Sequence, residues 1–177
     1  MATIGTLERV TAATLSKILL AAQETPAAAP NIAIIDVRDD DYIGGHIKGS
    51  RNVPSRTLDY MLPTLVRQLE DKDTVVFHCA LSQQRGPSAA LRYIRERERL
   101  LGSKQAEEQT GESTRTDGES GSSSTSSSSS SSSQSKVKEQ KVWVLDRGFV
   151  GWQEQYGTDE RLTEGYRKEL WEDGYWG

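Results

Sequence analysis

A single cysteine, Cys79, precedes an arginine with five residues between them in the stretch His78-Cys79-Ala80-Leu81-Ser82-Gln83-Gln84-Arg85-Gly86-Pro87. A cysteine thiolate is a strong nucleophile, and it is favoured where hydrogen-bond donors and positive charge surround it. Arginine offers a planar fork of donors that fits two oxygens of a phosphate-like group. If the short loop turns its successive N–H groups inward, Ala80, Leu81, Ser82, Gln83, Gln84 and Arg85 form a nest for an anion. A helix starting after it adds partial positive charge. Gly86 permits a close backbone approach, and Pro87 suits the first position of a helix because it needs no N–H there. The pattern predicts covalent catalysis, in which Cys79 attacks the central atom of a tetrahedral oxyanion held by Arg85. The plainer fate of a free cysteine, a small buried residue at a strand end, does not account for the arginine, glycine and proline that follow it.

That loop needs a strand before it and a helix after it. Thr74-Val75-Val76-Phe77 lacks polar alternation, as does Ile32-Ala33-Ile34-Ile35-Asp36-Val37, and such runs suit strands buried on both faces of a parallel sheet. A third strand, Lys141-Val142-Trp143-Val144-Leu145, leads into Asp146-Arg147-Gly148-Phe149-Val150-Gly151-Trp152. Between the strands, helical spacing recurs. Leu15, Ile18, Leu19 and Ala22 follow a Thr11 cap and stop at Pro26 and Pro30. Leu58, Leu62, Leu65, Val66 and Leu69 form a second stripe, in which Pro63 predicts a kink or a split. Ala90, Leu91, Ile94 and Leu101 form a third, with Pro87 as first helical residue and Arg92, Arg95, Arg97 and Arg99 on the wet face. Strands alternating with helices predict an α/β fold with a parallel central sheet flanked by helices.

Residues 1–101 and 141–177 read as two parts of one domain, separated by residues 102–140. Within that separator, Glu112 to Ser135 is mostly Ser, Gly, Thr and Gln, with an unbroken serine run from Ser126 to Ser133. Such a composition buries too little apolar surface to offset ordering entropy, so a disordered insertion is expected.

His78-Cys79 through Arg85-Gly86-Pro87, with Ile94-Arg95-Glu96-Arg97 after it, resembles the cell-division-cycle dual-specificity phosphatases and the small plant and fungal rhodanese-type arsenate reductases. Two further stretches are similar to that superfamily. One is Ile35-Asp36-Val37-Arg38 with Tyr42-Ile43-Gly44-Gly45-His46-Ile47-Lys48-Gly49-Ser50 and Asn52-Val53-Pro54. The other is Val144-Leu145-Asp146-Arg147-Gly148-Phe149 with Gly151-Trp152. The resemblance implies a rhodanese-like fold, a phosphorylated protein or small oxyanion as substrate, and a structural ion pair between Asp36 and Arg38. It also implies that sulfurtransferases carry a shorter active-site loop than this one. The alternative outside enzymology is a non-catalytic anion- or phosphopeptide-binding module.

Where the phosphatases usually carry loop carboxylates this chain has Ala80 and Gln84, so no loop residue can serve as general acid. Arsenate reduction needs that proton less. It does need a second thiol, and with Cys79 alone in the chain the electrons must come from glutathione or glutaredoxin. His46 is expected to fix its glycine-rich loop, His78 to be a satisfied core histidine, and Trp143 and Trp152 to belong to the core.

Composition excludes other classes. With 22 Lys and Arg against 26 Asp and Glu, the net charge is −4, and no basic stripe suggests nucleic acid or an anionic membrane surface. No apolar run approaches ~18 residues, and the first residues lack a basic, then apolar, leader. One cysteine permits no internal disulfide, and with two histidines the usual structural zinc sites are excluded; the zinc-binding cysteine cluster of the plant relatives is missing. No bound cofactor or metal is expected, and the cytoplasm or nucleus is the expected compartment.

Overall fold

The computed structural model of the protein describes residues 3–29, 31–110 and 139–172. Five strands, β1 (Glu8–Val10), β2 (Ile32–Asp36), β4 (Arg51–Asn52), β5 (Thr74–His78) and β6 (Lys141–Leu145), form a parallel sheet in the order β1-β6-β5-β2-β4. Two short strands, β3 (His46–Ile47) and β7 (Thr163–Glu164), pair antiparallel beside it. The helices are α1 (Ala12–Glu24), α2 (Leu58–Gln68), α3 (Arg85–Thr110), α4 (Gly148–Tyr156) and α5 (Lys168–Glu172).

The apolar runs occupy the middle of the sheet, where both faces are covered. Their side chains alternate between the faces. Ile35, Val75, Phe77 and Val144 share a core with Leu58, Leu62, Leu65, Ala90 and Tyr93 of α2 and α3. Ile34, Val76 and Leu145 share the other with Leu15 of α1 and with Phe149 and Trp152 of α4. Burying such side chains stabilises the fold by roughly 1.5–3 kcal/mol each, enough to set the strand register. The Thr11 cap forms as expected: the Thr14 N–H donates to its hydroxyl at 3.2 Å, and α1 ends just before Pro26.

Several expectations need correction. Helix α2 passes Pro63 without a break. One missing N–H does not end a helix whose Leu58, Leu62, Leu65 and Val66 are buried against the sheet. Helix α3 begins at Arg85 rather than Pro87, and Pro87 still fits because first-turn N–H groups have no intrahelical partner anyway. The same helix continues past Leu101 to Thr110, through a Lys104-Gln105-Ala106-Glu107-Glu108 stretch of good helix formers. On it Tyr93 is fully buried, whereas Ile94 is only half-buried. Trp152 is core, while Trp143 is half-buried and donates its indole N–H to Glu8. The serine-rich stretch from residue 111 to 138 lies outside the described residues. No helix among the described residues is long and apolar enough to cross a membrane.

Candidate active site

Parallel strands send all their carboxyl ends to one edge of the sheet, where loops from neighbouring strands meet. Asp36 ends β2 directly opposite His78, which ends β5. The loop after β5 carries Cys79, and the loop after β2 carries three successive aspartates, Asp39 to Asp41.

Cys79 is buried, with 3% of its surface exposed. The chain turns back on it through Ser82, whose φ of 54° lies in the left-handed region. From there the Ser82 N–H donates to the Cys79 Sγ at 3.1 Å, and the Cys79 N–H donates to the Ser82 hydroxyl at 3.4 Å. Of the residues expected to form the cradle, Ser82 thus has its amide on the sulfur. Ala80 is buried beside it, and Leu81, Gln83 and Gln84 are exposed on the rim.

The loop carbonyls face the other way. Phe149 and Val150, in the first turn of α4, donate their N–H groups to the carbonyls of Cys79 and Ala80 at 3.0 and 2.9 Å. Approach this close explains the glycine at 148: Gly148 has φ +57°, and a Cβ there would lie 2.5 Å from both carbonyl oxygens. Gly86 is similarly crowded, since its Cβ would meet the His78 backbone and the Ser82 hydroxyl at 3.3 Å.

Arg85 opens α3 and sits against the β2 loop. Its Nη1 donates to Asp41 Oδ1 at 2.8 Å and to Asp39 Oδ2 at 3.4 Å, and its Nη2 donates to Asp41 Oδ2 at 2.5 Å. Burial opposes ionisation of Asp41, but the hydrogen bonds and charge of Arg85 outweigh it and hold the carboxyl below its ordinary value. For Asp39, burial is likewise outweighed by the Ser55 hydroxyl, the Arg56 N–H and Arg85. The Asp41 grip in turn pushes the Arg85 pKa upward, against its own burial. The sequence analysis missed these two aspartates. An unbroken run of carboxylates at the end of a buried strand, facing a loop with a conspicuous cation, was the signal.

Behind the loop lies the Asp36–Arg38 pair implied by the resemblance. Both side chains are fully buried, with Nη2 of Arg38 2.7 Å from Asp36 Oδ2 and donating at 2.8 Å to the Gly45 carbonyl. The guanidinium also lies over the rings of Tyr42 and Phe149. His78 is fully buried, and its Nδ1 lies 3.0 Å from the Cys79 carbonyl, which assigns the proton to that nitrogen. Burial lowers its pKa despite the nearby Asp36. His46 Nε2 lies 3.4 Å from Glu164 Oε2 where β3 pairs with β7, next to the glycine-rich loop. Trp171 donates to the Gly44 carbonyl at 3.0 Å and packs on Phe149. Trp171 is thereby packed against the glycine-rich loop, and the nearby aromatics Tyr175 and Trp176 lie outside the described residues.

Two clefts flank the loop from Cys79 to Arg85. One of about 200 Å³ is lined by Arg9, Ser82, Gln83, Asp146 and Arg147. The other, about 340 Å³, is lined by Arg56, Gln84, Arg85, Ser88 and Arg92.

A family model described as Rhodanese-like domain matches residues 17–106. The CDC25-like phosphatase YCH1 of Saccharomyces cerevisiae is 33% identical over 148 residues, which cover 78% of this chain and 76% of that protein. Arsenate reductase 2.1 of Oryza sativa subsp. japonica is 56% identical over 62 residues, 34% of this chain and 39% of that protein. The chain spans about half, or less, of the plant relatives it matches. Among solved structures, Ygr203w, a yeast protein tyrosine phosphatase of the Rhodanese family, is 28% identical with a TM-score of 0.64, covering 97% of this chain and 99% of that one.

Proposed function

The chain belongs to the rhodanese-like domain family, and from that premise we propose that it is a cysteine-dependent enzyme acting on a tetrahedral oxyanion, either a phosphate ester or arsenate. The observation that carries this reading is the Ser82 N–H directed at the Cys79 sulfur, in a loop whose far end is Arg85. Related proteins named as phosphatases and arsenate reductases support the same two substrates.

In this reading the Cys79 thiolate attacks phosphorus, the alcohol leaves with the bonding pair, and water hydrolyses the thiophosphate to return the thiol. Arg85 and the loop amides stabilise the equatorial oxygens, which gain charge as the bond forms. Proton donation to a poor leaving group is typically worth about 10²–10⁴ in rate, and Ala80 and Gln84 supply none. Aryl phosphates, whose leaving groups need little protonation, are therefore the favoured phosphate esters.

With arsenate the thiolate displaces water from arsenic, forming a Cys79–arsenic bond. A glutathione thiol attacks the Cys79 sulfur, the arsenic–sulfur pair moves to arsenic, and arsenite leaves with Cys79 in a mixed disulfide. A second glutathione, directly or through glutaredoxin, restores Cys79 and gives oxidised glutathione. Two thiols thus supply the two electrons. A phosphorylated protein is the corresponding macromolecular substrate, and the cytoplasm or nucleus, where such thiols are kept reduced, is the fitting compartment.

The test is to assay pre-reduced, desalted enzyme with arsenate, with and without glutathione, and with an aryl phosphate in parallel. Aryl phosphate turnover without thiol, and arsenate turnover only with it, is the expected pair of results. Multiple arsenate turnovers without thiol would overturn the reductase mechanism. Inertness toward both substrates would overturn the enzymatic reading.

A further inference from the structure

A guanidinium has five N–H groups along three edges, and the fate of each in Arg85 is legible. Nη1 directs its two hydrogens to Asp41 Oδ1 and Asp39 Oδ2, and Nη2 directs one to Asp41 Oδ2. Asp41 therefore grips the end of the group, across Nη1 and Nη2. The hydrogen on Nε and the second on Nη2 remain. They lie parallel on the adjoining edge, and among the described residues neither has a protein acceptor. Two parallel N–H groups are the geometry that takes two oxygens of a tetrahedral anion.

The carboxylates are themselves held before they hold Arg85. Asp41 accepts the Asp39 N–H at 2.9 Å. Asp39 accepts the Ser55 hydroxyl at 2.5 Å and the Arg56 N–H at 3.1 Å. The Tyr42 and Ile43 amides close the same turn on the carbonyls of Asp39 and Asp41. The loop after β2 is a built mount rather than a chance surface pair. The Asp41 side chain is 17% exposed, and that of Arg85 is 35% exposed.

We propose that Asp41, supported by Asp39, is a positioning residue for the oxyanion clamp: it grips one edge of Arg85 so that the other edge is presented to the anion. This deepens the proposed reading and rests on it. Two negative charges beside Arg85 weaken its attraction for an incoming anion. What they supply in exchange is orientation, and orientation matters most in the transition state. Asp41 thus does little for, or even opposes, ground-state binding while it raises kcat.

The experiment compares full-length wild type, Asp41→Asn, Asp41→Glu and Asp40→Asn. The amide of Asn accepts from one Nη and turns its own N–H groups toward the other, so the two-point grip is lost. Glu keeps the carboxylate. Asp40 is the neighbouring charge, exposed and paired with Arg56 rather than Arg85. For an aryl phosphate, Asp41→Asn is expected to lower kcat about 10- to 100-fold with KM unchanged or lower. Asp41→Glu recovers part of the loss, and Asp40→Asn stays near wild type. Thermal shifts with inorganic phosphate and with vanadate, which binds as a five-coordinate mimic of the transition state, give a readout independent of turnover. Asp41→Asn should lose vanadate affinity and keep phosphate affinity. A kcat within about two-fold of wild type overturns the proposal, as does an equal fall in Asp40→Asn or an equal loss of both anions. Wild type that neither turns over substrate nor binds vanadate fails the functional reading itself. A normal wild type with an unaffected Asp41→Asn fails the positioning role alone.

Discussion

The amide of Phe149 donates to the carbonyl of Cys79 at 3.0 Å, so the first turn of α4 is fastened to the residue proposed as the nucleophile. The His78 ring lies 3.0 Å from the same carbonyl. Two donors thus turn the Cys79 carbonyl away from the loop interior, leaving amides such as that of Ser82 to face the sulfur.

Gly148→Ala tests that fastening. Its Cβ would lie 2.5 Å from the carbonyls of Cys79 and Ala80, in a backbone conformation that already disfavours a side chain. We expect a loss of about 1–3 kcal/mol in stability and a larger proportional fall in kcat, because relief of the clash moves the Cys79–Arg85 loop. Chemical denaturation and steady-state kinetics on the same preparation check both. An unchanged kcat would separate α4 from the loop geometry.

Arg85→Lys keeps a positive charge near Asp41 but removes the fork. Turnover is expected to drop strongly with little change in melting temperature, since the lysine ammonium keeps a positive charge beside the two carboxylates. Near-normal kinetics would remove Arg85 from the site.

Much of this arrangement is legible in the sequence, for physical reasons. Runs such as Ile32–Val37 and Thr74–Phe77 announce a doubly covered parallel sheet because polar residues do not alternate along them, and the Cys79–Arg85 loop is visible from residue types alone. Strand β1 is not, because Glu8 and Arg9 are exposed on a three-residue edge strand and give no apolar signal. Asp39 and Asp41 escape notice because a carboxylate run reads as solvated surface; their role depends on β2 lying beside β5, a tertiary fact. The start of α3 is misread because Pro87 is tolerated anywhere in a first turn and so marks no single position.

The buried Asp36–Arg38 pair gives a stability prediction. Asp36→Ala strands a fully buried guanidinium and should cost about 3–5 kcal/mol, whereas Asp36→Ala combined with Arg38→Met should cost less than the single change. Urea denaturation of both variants is the check. A double variant weaker than the single one would contradict the charge-burial argument.

His78 gives the pH dependence. Burial lowers its native pKa, while the unfolded chain takes up a proton near 6.5. Between those two values the unfolded state binds more protons, so this contribution is complete above about pH 6.5 and is lost as pH falls toward the native value. The depressed carboxyls of Asp39 and Asp41 act lower, their stabilisation disappearing as pH falls through their native values. The urea midpoint should therefore fall between about pH 7 and pH 5.5, and His78→Gln should flatten that slope. Parallel slopes would assign the change to other groups.

Cys79→Ser carries the central claim most directly. A serine hydroxyl keeps the shape of the loop but stays protonated at neutral pH, so the nucleophile is removed while the cradle remains. The measurement is kcat for an aryl phosphate, and for arsenate with glutathione, in wild type and Cys79→Ser, with melting temperatures alongside. The account predicts measurable wild-type turnover of at least one substrate and a fall of about 10³-fold or more in the variant, at nearly unchanged melting temperature. Turnover by Cys79→Ser within a few-fold of wild type would contradict it.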